Sequence, residues 1–254
     1  MISEAKSVEN LVGFIAARQP DFRRRITGAS AAQIEALNDV VKQFAGCELP
    51  ADYRAFLSLM GGAPPPFSLT YDATPVIGEV LEKHQILLEE GGDDDLPPAS
   101  FLIAVNGFQI EDIALECAAT GADREIGGRV FAPNGARVGE ILGDGFIEYL
   151  YGQAFKYVVG ANAAVTGTLF GTRREPNLAQ IEAVAARFDL EKQWFSDSIT
   201  LCLCDRAENT VVYARQKQNE LVWARVSGGD RARVNALKES LVGDAGLGFE
   251  QWWD

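Results

Sequence analysis

Histidine is almost missing from this 254-residue chain, with His84 its only example. That excludes metal sites built on two imidazoles and leaves imidazole acid–base chemistry to a single residue. Cysteine is sparse as well. Cys47, Cys117, Cys202 and Cys204 are scattered and form no CxxC pair, so they read as reduced thiols with no zinc-ligand spacing. The chain has no Walker loop, GxSxG elbow, HExxH helix or Rossmann glycine fingerprint, so nothing announces nucleotide, zinc-protease or serine-hydrolase chemistry. No apolar run approaches the roughly 20 residues that cross a bilayer. The first twenty residues lack the long apolar core and small-residue cleavage site of a signal peptide, and a cytoplasmic location is expected. Positive charge is also short: 23 Lys and Arg stand against 36 Asp and Glu, a net charge of −13. Such a surface repels nucleic-acid phosphates and anionic membranes, whose binding relies on counterion release by basic side chains. It remains compatible with a basic protein partner.

What is present is an ordinary globular composition, 47% hydrophobic and 23% charged, long enough to bury a sizeable core. Val8, Leu11, Val12 and Ile15 recur at helical spacing up to Pro20. Ser30 and Gln33 fit a capping box ahead of Ile34, Leu37, Val41 and Phe44. The most patterned stretch is LPADYRAFLSLMGGAPPPFSL, residues 49–69. Pro50 suits a first helical position, and Asp52 suits the positive end of a helix dipole. Tyr53, Phe56, Leu57 and Met60 mark one buried face. Gly61 and Gly62 are expected to end the helix in the left-handed conformation, and Pro64, Pro65 and Pro66 to keep the exit extended. Thr74 and Pro75 look like the start of a helix carrying Ile77, Val80, Leu81, His84, Leu87 and Leu88. EEGGDDDLPP reads as a surface loop. Phe101 to Val105 reads as a buried strand, and Ile113, Leu115 and Cys117 as a half-buried one. A turn is expected at Asn134–Gly135, then a closing helix from Phe146.

Gly160 to Ala164 is rich in small residues and reads as a linker, dividing the chain into 1–158 and 159–254. Beyond it the pattern restarts. A strand over 165–170 precedes a helix with Leu178, Ile181, Val184, Ala185 and Phe188. SITLCLC, TVVYARQ and LVWARV then form a three-strand meander. Asp230 caps a last helix with Val234, Leu237 and Leu241. Two tail tryptophans are expected to dock on the body.

The run LPADYRAFLSLMGGAP resembles the signature of the SUKH superfamily, the Smi–Knr type. The residues that carry the likeness are Leu49, Pro50, Asp52, Tyr53, Phe56, Leu57, Gly61, Gly62 and Pro64, with Met60 where the family often has Asn. The acidic, proline-containing loop from Asp93 to Pro98, the strand FLIAV and the ending GDGFIEYLYG follow in the family's order, so the resemblance spans roughly residues 30–157. It implies an α+β fold with helices packed on a mostly antiparallel sheet, here followed by a C-terminal α+β extension. It also implies a non-enzymatic role. Bacterial members are widely immunity proteins that bind and neutralise a cognate toxin, and others are scaffolds or adaptors.

On this reading the expected partner is a protein, such as a basic toxin. The expected contact surface is Asp93, Asp94 and Asp95 with Pro64, Pro65 and Pro66. No catalytic residue, cofactor or metal is assigned. His84 on an apolar face reads as a packed, hydrogen-bonded side chain. Cys202 and Cys204, two apart on one strand face, read as small core residues. Arg173, Arg174, Arg231, Arg233 and Lys238 read as scattered surface cations. The alternatives are a scaffold or adaptor, and a hydrolase using carboxylates or His84, which a deep pocket with convergent charged groups and a buried, shifted carboxylate would mark.

Overall fold

The computed structural model describes residues 6–69, 73–91, 96–106, 112–117, 128–161, 163–171, 178–207, 209–216 and 221–253, with backbone alone for 159–161 and 249–253. The fold is α+β: eight helices and two antiparallel sheets among the described residues. The chain forms two compact units, Ala5–Gln153 and Ala154–Asp254.

The first unit opens with α1 (Val8–Ala16), whose Ser7 side chain caps the Asn10 N–H, and the short α2 (Phe22–Arg25). In α3 (Ala31–Ala45) Ser30 and Gln33 form the full capping box, and Gly46 ends the helix at φ +72°. In α4 (Ala51–Met60) Tyr53, Phe56, Leu57 and Met60 are all buried, the face that the 3.6-residue period predicts. After α5 (Ile77–Glu90) come β1 (Ser100–Ala104), β2 (Ile113–Glu116), β3 (Val130–Asn134) and β4 (Arg137–Gly143), which pair in that order as one antiparallel sheet. Gly135, at φ +57°, makes the β3–β4 turn. Helix α6 (Phe146–Ala161) follows.

Several expectations shift on contact with the structure. Pro50 is the N-cap, one position before the helix. Leu49, just ahead of it, is tied by its N–H to the buried Asn38 Oδ1. Gly61 is right-handed, at φ −83°. What the glycine pair provides is close backbone approach. The Gly62 N–H donates to the Thr27 carbonyl at 2.8 Å and the Ala29 N–H to the Leu57 carbonyl at 2.9 Å. A Cβ on Gly62 would collide with the Gly28 carbonyl. Thr74 does not cap α5. It forms a β-bridge with Val105, and α5 starts at Ile77 behind Val76. Strand β2 is buried on both faces at Ile113, Ala114 and Leu115, so it does not alternate. Helix α6 runs through the expected linker as far as Ala161.

In the second unit β5 (Val165–Gly171), α7 (Leu178–Ala186), β6 (Glu191–Lys192), β7 (Thr200–Cys204), β8 (Thr210–Gln216), β9 (Val222–Gly228), α8 (Arg231–Asp244) and β10 (Leu247–Trp253) follow in chain order. The sheet order is β10-β5-β9-β8-β7-β6, so the expected β7–β8–β9 meander is present. Asp230 caps α8, accepting from the Ala232 and Arg233 N–H groups. Helices α7 and α8 cover one face through Ile181, Val184, Val234, Leu237 and Leu241, packed on Leu201, Leu203, Val212, Ala224 and Val226. The tail holding Trp252 and Trp253 is the edge strand β10, paired with β5.

Candidate functional site

Pro64 is exposed, and Pro65 and Pro66 are half-buried. The segment that carries them is fixed at both ends. The Gly61 carbonyl accepts the Ile77 N–H at 2.9 Å. Beyond the prolines, Phe67 is buried against Phe22, with ring centroids 6.3 Å apart. The Leu69 carbonyl accepts the Tyr149 hydroxyl. The prolines therefore form a stiff, part-exposed ridge on an anchored chain, which loses little entropy on binding.

Asp93, Asp94 and Asp95 lie outside the described residues, as do Arg173 and Arg174. Gly91 ends α5 at φ +72°, and Leu96 is buried. Gly61, ahead of the prolines, is bonded to the first residue of α5, and the acidic stretch follows in sequence after Gly91, the cap of its last turn. Fourteen helical residues at 1.5 Å each separate the two attachment points by roughly 20 Å, within the width of a standard protein–protein interface.

His84 is fully buried. Its Nε2 lies 3.1 Å from the Leu102 N and 3.2 Å from the Leu102 carbonyl oxygen, and its ring meets Phe44 edge-on. Among the described residues β1 is an edge strand of its sheet, and the imidazole is placed beside the Leu102 N–H and carbonyl. Burial pulls its pKa down to about 4, against a smaller upward push from the Leu102 backbone bond. A histidine with a depressed folded pKa favours folding above the unfolded value near 6.5, and that contribution is lost as pH falls toward 4. Stability from His84 is therefore expected to fall by about 2 kcal/mol between pH 7 and pH 5. Urea unfolding of the wild type and of His84→Gln at the two pH values checks this. An equal pH dependence in both proteins would refute it.

Burial is the first cause of a raised pKa at the Asp112 carboxyl, against smaller downward pushes from the Asn106 backbone bond and Lys83. The Asp112 Oδ1 accepts the Asn106 N–H at 2.6 Å, closing the chain between β1 and β2. Cys202 and Cys204 are buried, free thiols, and burial pushes the Cys202 thiol well up. Both are core residues, as expected. Arg233 donates to the Phe188 carbonyl and lies 3.7 Å from Asp205, a structural tie between α8 and the segment after α7. No group of three or more His, Cys, Asp and Glu is placed to hold a metal ion among the described residues. No described helix is long and apolar enough to cross a membrane.

Two features escaped the sequence reading. Cys47 and Cys117 are joined as a disulfide with a Cα–Cα distance of 6.1 Å, which corrects the expectation of four reduced cysteines. The second is a basic and aromatic cluster in the Ala154–Asp254 unit. Tyr213 pairs with Arg225 and Arg215 with Trp223 across β8 and β9, on the face opposite α7 and α8. The Lys156 ammonium lies 5.9 Å from the Tyr213 ring centroid and 5.5 Å from that of Trp223. Burial first, then Arg225 and Arg215, lower its pKa to about 8.

No family model, no curated protein and no solved structure matches the chain.

Proposed function

We propose that the protein is a non-enzymatic protein-binding module of immunity type, which occludes a basic toxin with an acidic surface. The observation that carries this reading is the construction of residues 49–69. Three signature side chains of α4, Tyr53, Phe56 and Leu57, sit in the core, the paired glycines press on backbone, and the prolines stand on an anchored, part-exposed ridge. The net charge of −13 supports it, because complementary charge speeds association and rejects wrong partners. The groups best suited to chemistry favour it too: His84 and Asp112 both hold backbone N–H groups in place. A cytoplasmic location sits poorly with the Cys47–Cys117 bond, since disulfides are rare in reducing compartments. The binding reading does not depend on it.

The test begins with a pull-down from the native host and identification of the bound protein. A basic, toxin-like partner is expected. Replacing Asp93, Asp94 and Asp95 with Asn should then slow association about tenfold at low salt and flatten its salt dependence, with a smaller change in dissociation. An unchanged association rate would remove that loop from the interface. A partner without basic character would remove the immunity reading.

A further inference from the structure

We infer that Asn134 is a site of spontaneous covalent modification, where attack by the Gly135 backbone nitrogen converts the tip of the β3–β4 hairpin to aspartate and isoaspartate. This concerns the Ala5–Gln153 unit alone and does not depend on the protein-binding reading.

The starting point is a sequence step that the fold treats in two ways. Asn–Gly occurs twice, at Asn106–Gly107 and at Asn134–Gly135. Glycine has no Cβ to shield its nitrogen or to restrict the rotation that brings it against the preceding side chain. These two asparagines are therefore the most open to attack by their own backbone, and the sequence does not separate them. The structure does. Asn106 is buried, at 9% exposure. It follows Val105, whose N–H and carbonyl are both bonded to Thr74, and its own N–H donates to the Asp112 Oδ1 at 2.6 Å. Asn134 is exposed, as are Gly135, Ala136 and Arg137 after it. It pairs with Arg137, so Gly135 and Ala136 are the two central residues of the turn. Gly135, at φ +57°, holds the first of these positions, where such turns take glycine. Among the described residues no hydrogen bond holds the Asn134 side-chain amide.

The reaction needs the tip to bend, and the tip is loosely held. The β3–β4 register shifts between Phe131 and Pro133, which leaves only Pro133↔Val138 and Asn134↔Arg137 beyond the irregularity. Proline donates no N–H to that ladder, so opening the tip costs little compared with opening a buried strand. A base in the solvent takes the proton of the Gly135 N–H. The nitrogen bonds to the Asn134 Cγ, the Cγ–Nδ2 bond breaks, and Nδ2 leaves with a proton as ammonia. Solvent water then adds to one of the two carbonyls of the cyclic imide. Opening at Cγ gives aspartate. Opening at the main-chain carbonyl gives isoaspartate, in which the backbone runs through the side chain and is one carbon longer. Either product carries a negative charge that the amide lacked. The longer backbone breaks the two outer pairs. The inner pairs Val130↔Gly143 and Phe131↔Ile141 persist, because Val130 and Phe131 are buried. The modified chain is thus folded, with a hairpin tip of different shape.

The experiment incubates the full chain in warm neutral buffer over weeks and digests samples at acidic pH. Mass spectrometry then follows the amide-to-acid conversion, with chromatography separating aspartate from isoaspartate peptides. In the native chain the Asn134 peptide should convert at least about tenfold faster than the Asn106 peptide, because the buried site must first open locally. Isoaspartate should be among the products, and conversion should quicken as pH is raised. In urea-unfolded chain the two peptides should convert at similar rates, which assigns the difference to the fold. Asn134→Gln lengthens the side chain and disfavours the ring. It should abolish the fast conversion, leave Asn106 as slow as before and keep the wild-type far-UV dichroism. An Asn134 peptide that stays unconverted, or an Asn106 peptide that converts as fast, would overturn the proposal. So would a rate ratio that persists in urea, or aspartate formed with no isoaspartate, which would mean direct hydrolysis without the backbone nitrogen.

Discussion

Phe56→Ala is expected to destabilise the Ala5–Gln153 unit by about 3–5 kcal/mol. Phe56 is fully buried, so truncation removes a whole ring from a packed interior and leaves a cavity that the helix cannot close. Its ring stacks on Tyr53 at 6.2 Å with a 13° interplanar angle, and meets Phe146 edge-on at 5.8 Å. Tyr53 and Phe146 also meet edge-on at 5.4 Å, and Phe101 lies 5.7 Å from Tyr53. Each such pair adds about 0.5–1.5 kcal/mol beyond the area buried, which places the loss toward the upper end of the range. The cluster joins α4, β1 and the start of α6, elements far apart in sequence. Its loss therefore loosens the tertiary contacts of the unit, and not α4 alone. The chain carries its own control. All four tryptophans, Trp194, Trp223, Trp252 and Trp253, fall in the Ala154–Asp254 unit, so indole fluorescence follows that unit while far-UV circular dichroism follows both. The loss should appear in the dichroism transition that fluorescence does not report. A change of only about 0.5 kcal/mol, the size of an ordinary surface substitution, would remove Phe56 from the core.

The sequence made legible what depends on neighbours along the chain. The capping box at Ser30 and Gln33, the buried stripe of α4, the Asp230 cap and the β7–β8–β9 meander all rest on local spacing, which is visible in one dimension. The failures have a common cause, which is that their reasons lie across the fold. Gly61 and Gly62 looked like a left-handed stop, but the folded chain shows why side chains are excluded there: one at Gly62 would strike the backbone of Thr27 and Gly28, and one at Gly61 would strike Leu57. Thr74 looked like a cap, yet its N–H and carbonyl are taken by Val105, thirty-one positions away. Gly160 and Ala161, the first two residues of the expected linker, belong to the last turn of α6, since small residues are ambiguous in sequence. Alanine is also the best helix former, and α6 continues to Ala161. The site residues divide in the same way. His84 was readable as a packed side chain because its helix face was readable. Lys156, Arg215 and Arg225 were not, because no spacing within one strand reveals which cation stands diagonally across a sheet from another, or which helix lies above.

Breaking the Cys47–Cys117 bond is expected to lower the stability of the Ala5–Gln153 unit by about 4 kcal/mol. The two cysteines are 70 positions apart. Cross-linking a loop of that length removes from the unfolded chain conformational freedom equivalent to about 4 kcal/mol at 25 °C. The bond joins the exit of α3, where Gly46 turns left-handed, to the residue following β2, and the Cys117 N–H is held by the Ala99 carbonyl at 2.8 Å. Both anchors are fixed by other contacts, so the folded geometry persists without the bond and the effect falls on the unfolded state. Cys47→Ser with Cys117→Ser, and the wild type kept in excess reductant, should therefore lose the same amount relative to oxidised protein in urea unfolding. Thiol counting supplies an independent check. Cys202 and Cys204 are buried and free, and Cys202 is held further from the reactive thiolate by its raised pKa. Protein folded in an oxidising glutathione buffer should expose no reactive thiol while native, two on unfolding, and four only after reduction. Four reactive thiols in unfolded, unreduced protein would mean that the bond does not form. Unchanged stability after reduction would mean that it does not constrain the chain. The expected result also bears on where the molecule works. With native stabilities commonly at 5–15 kcal/mol, a loss near 4 kcal/mol is a large fraction of the total. A chain in a reducing compartment would have to hold this unit together without it, chiefly through the aromatic cluster around Phe56.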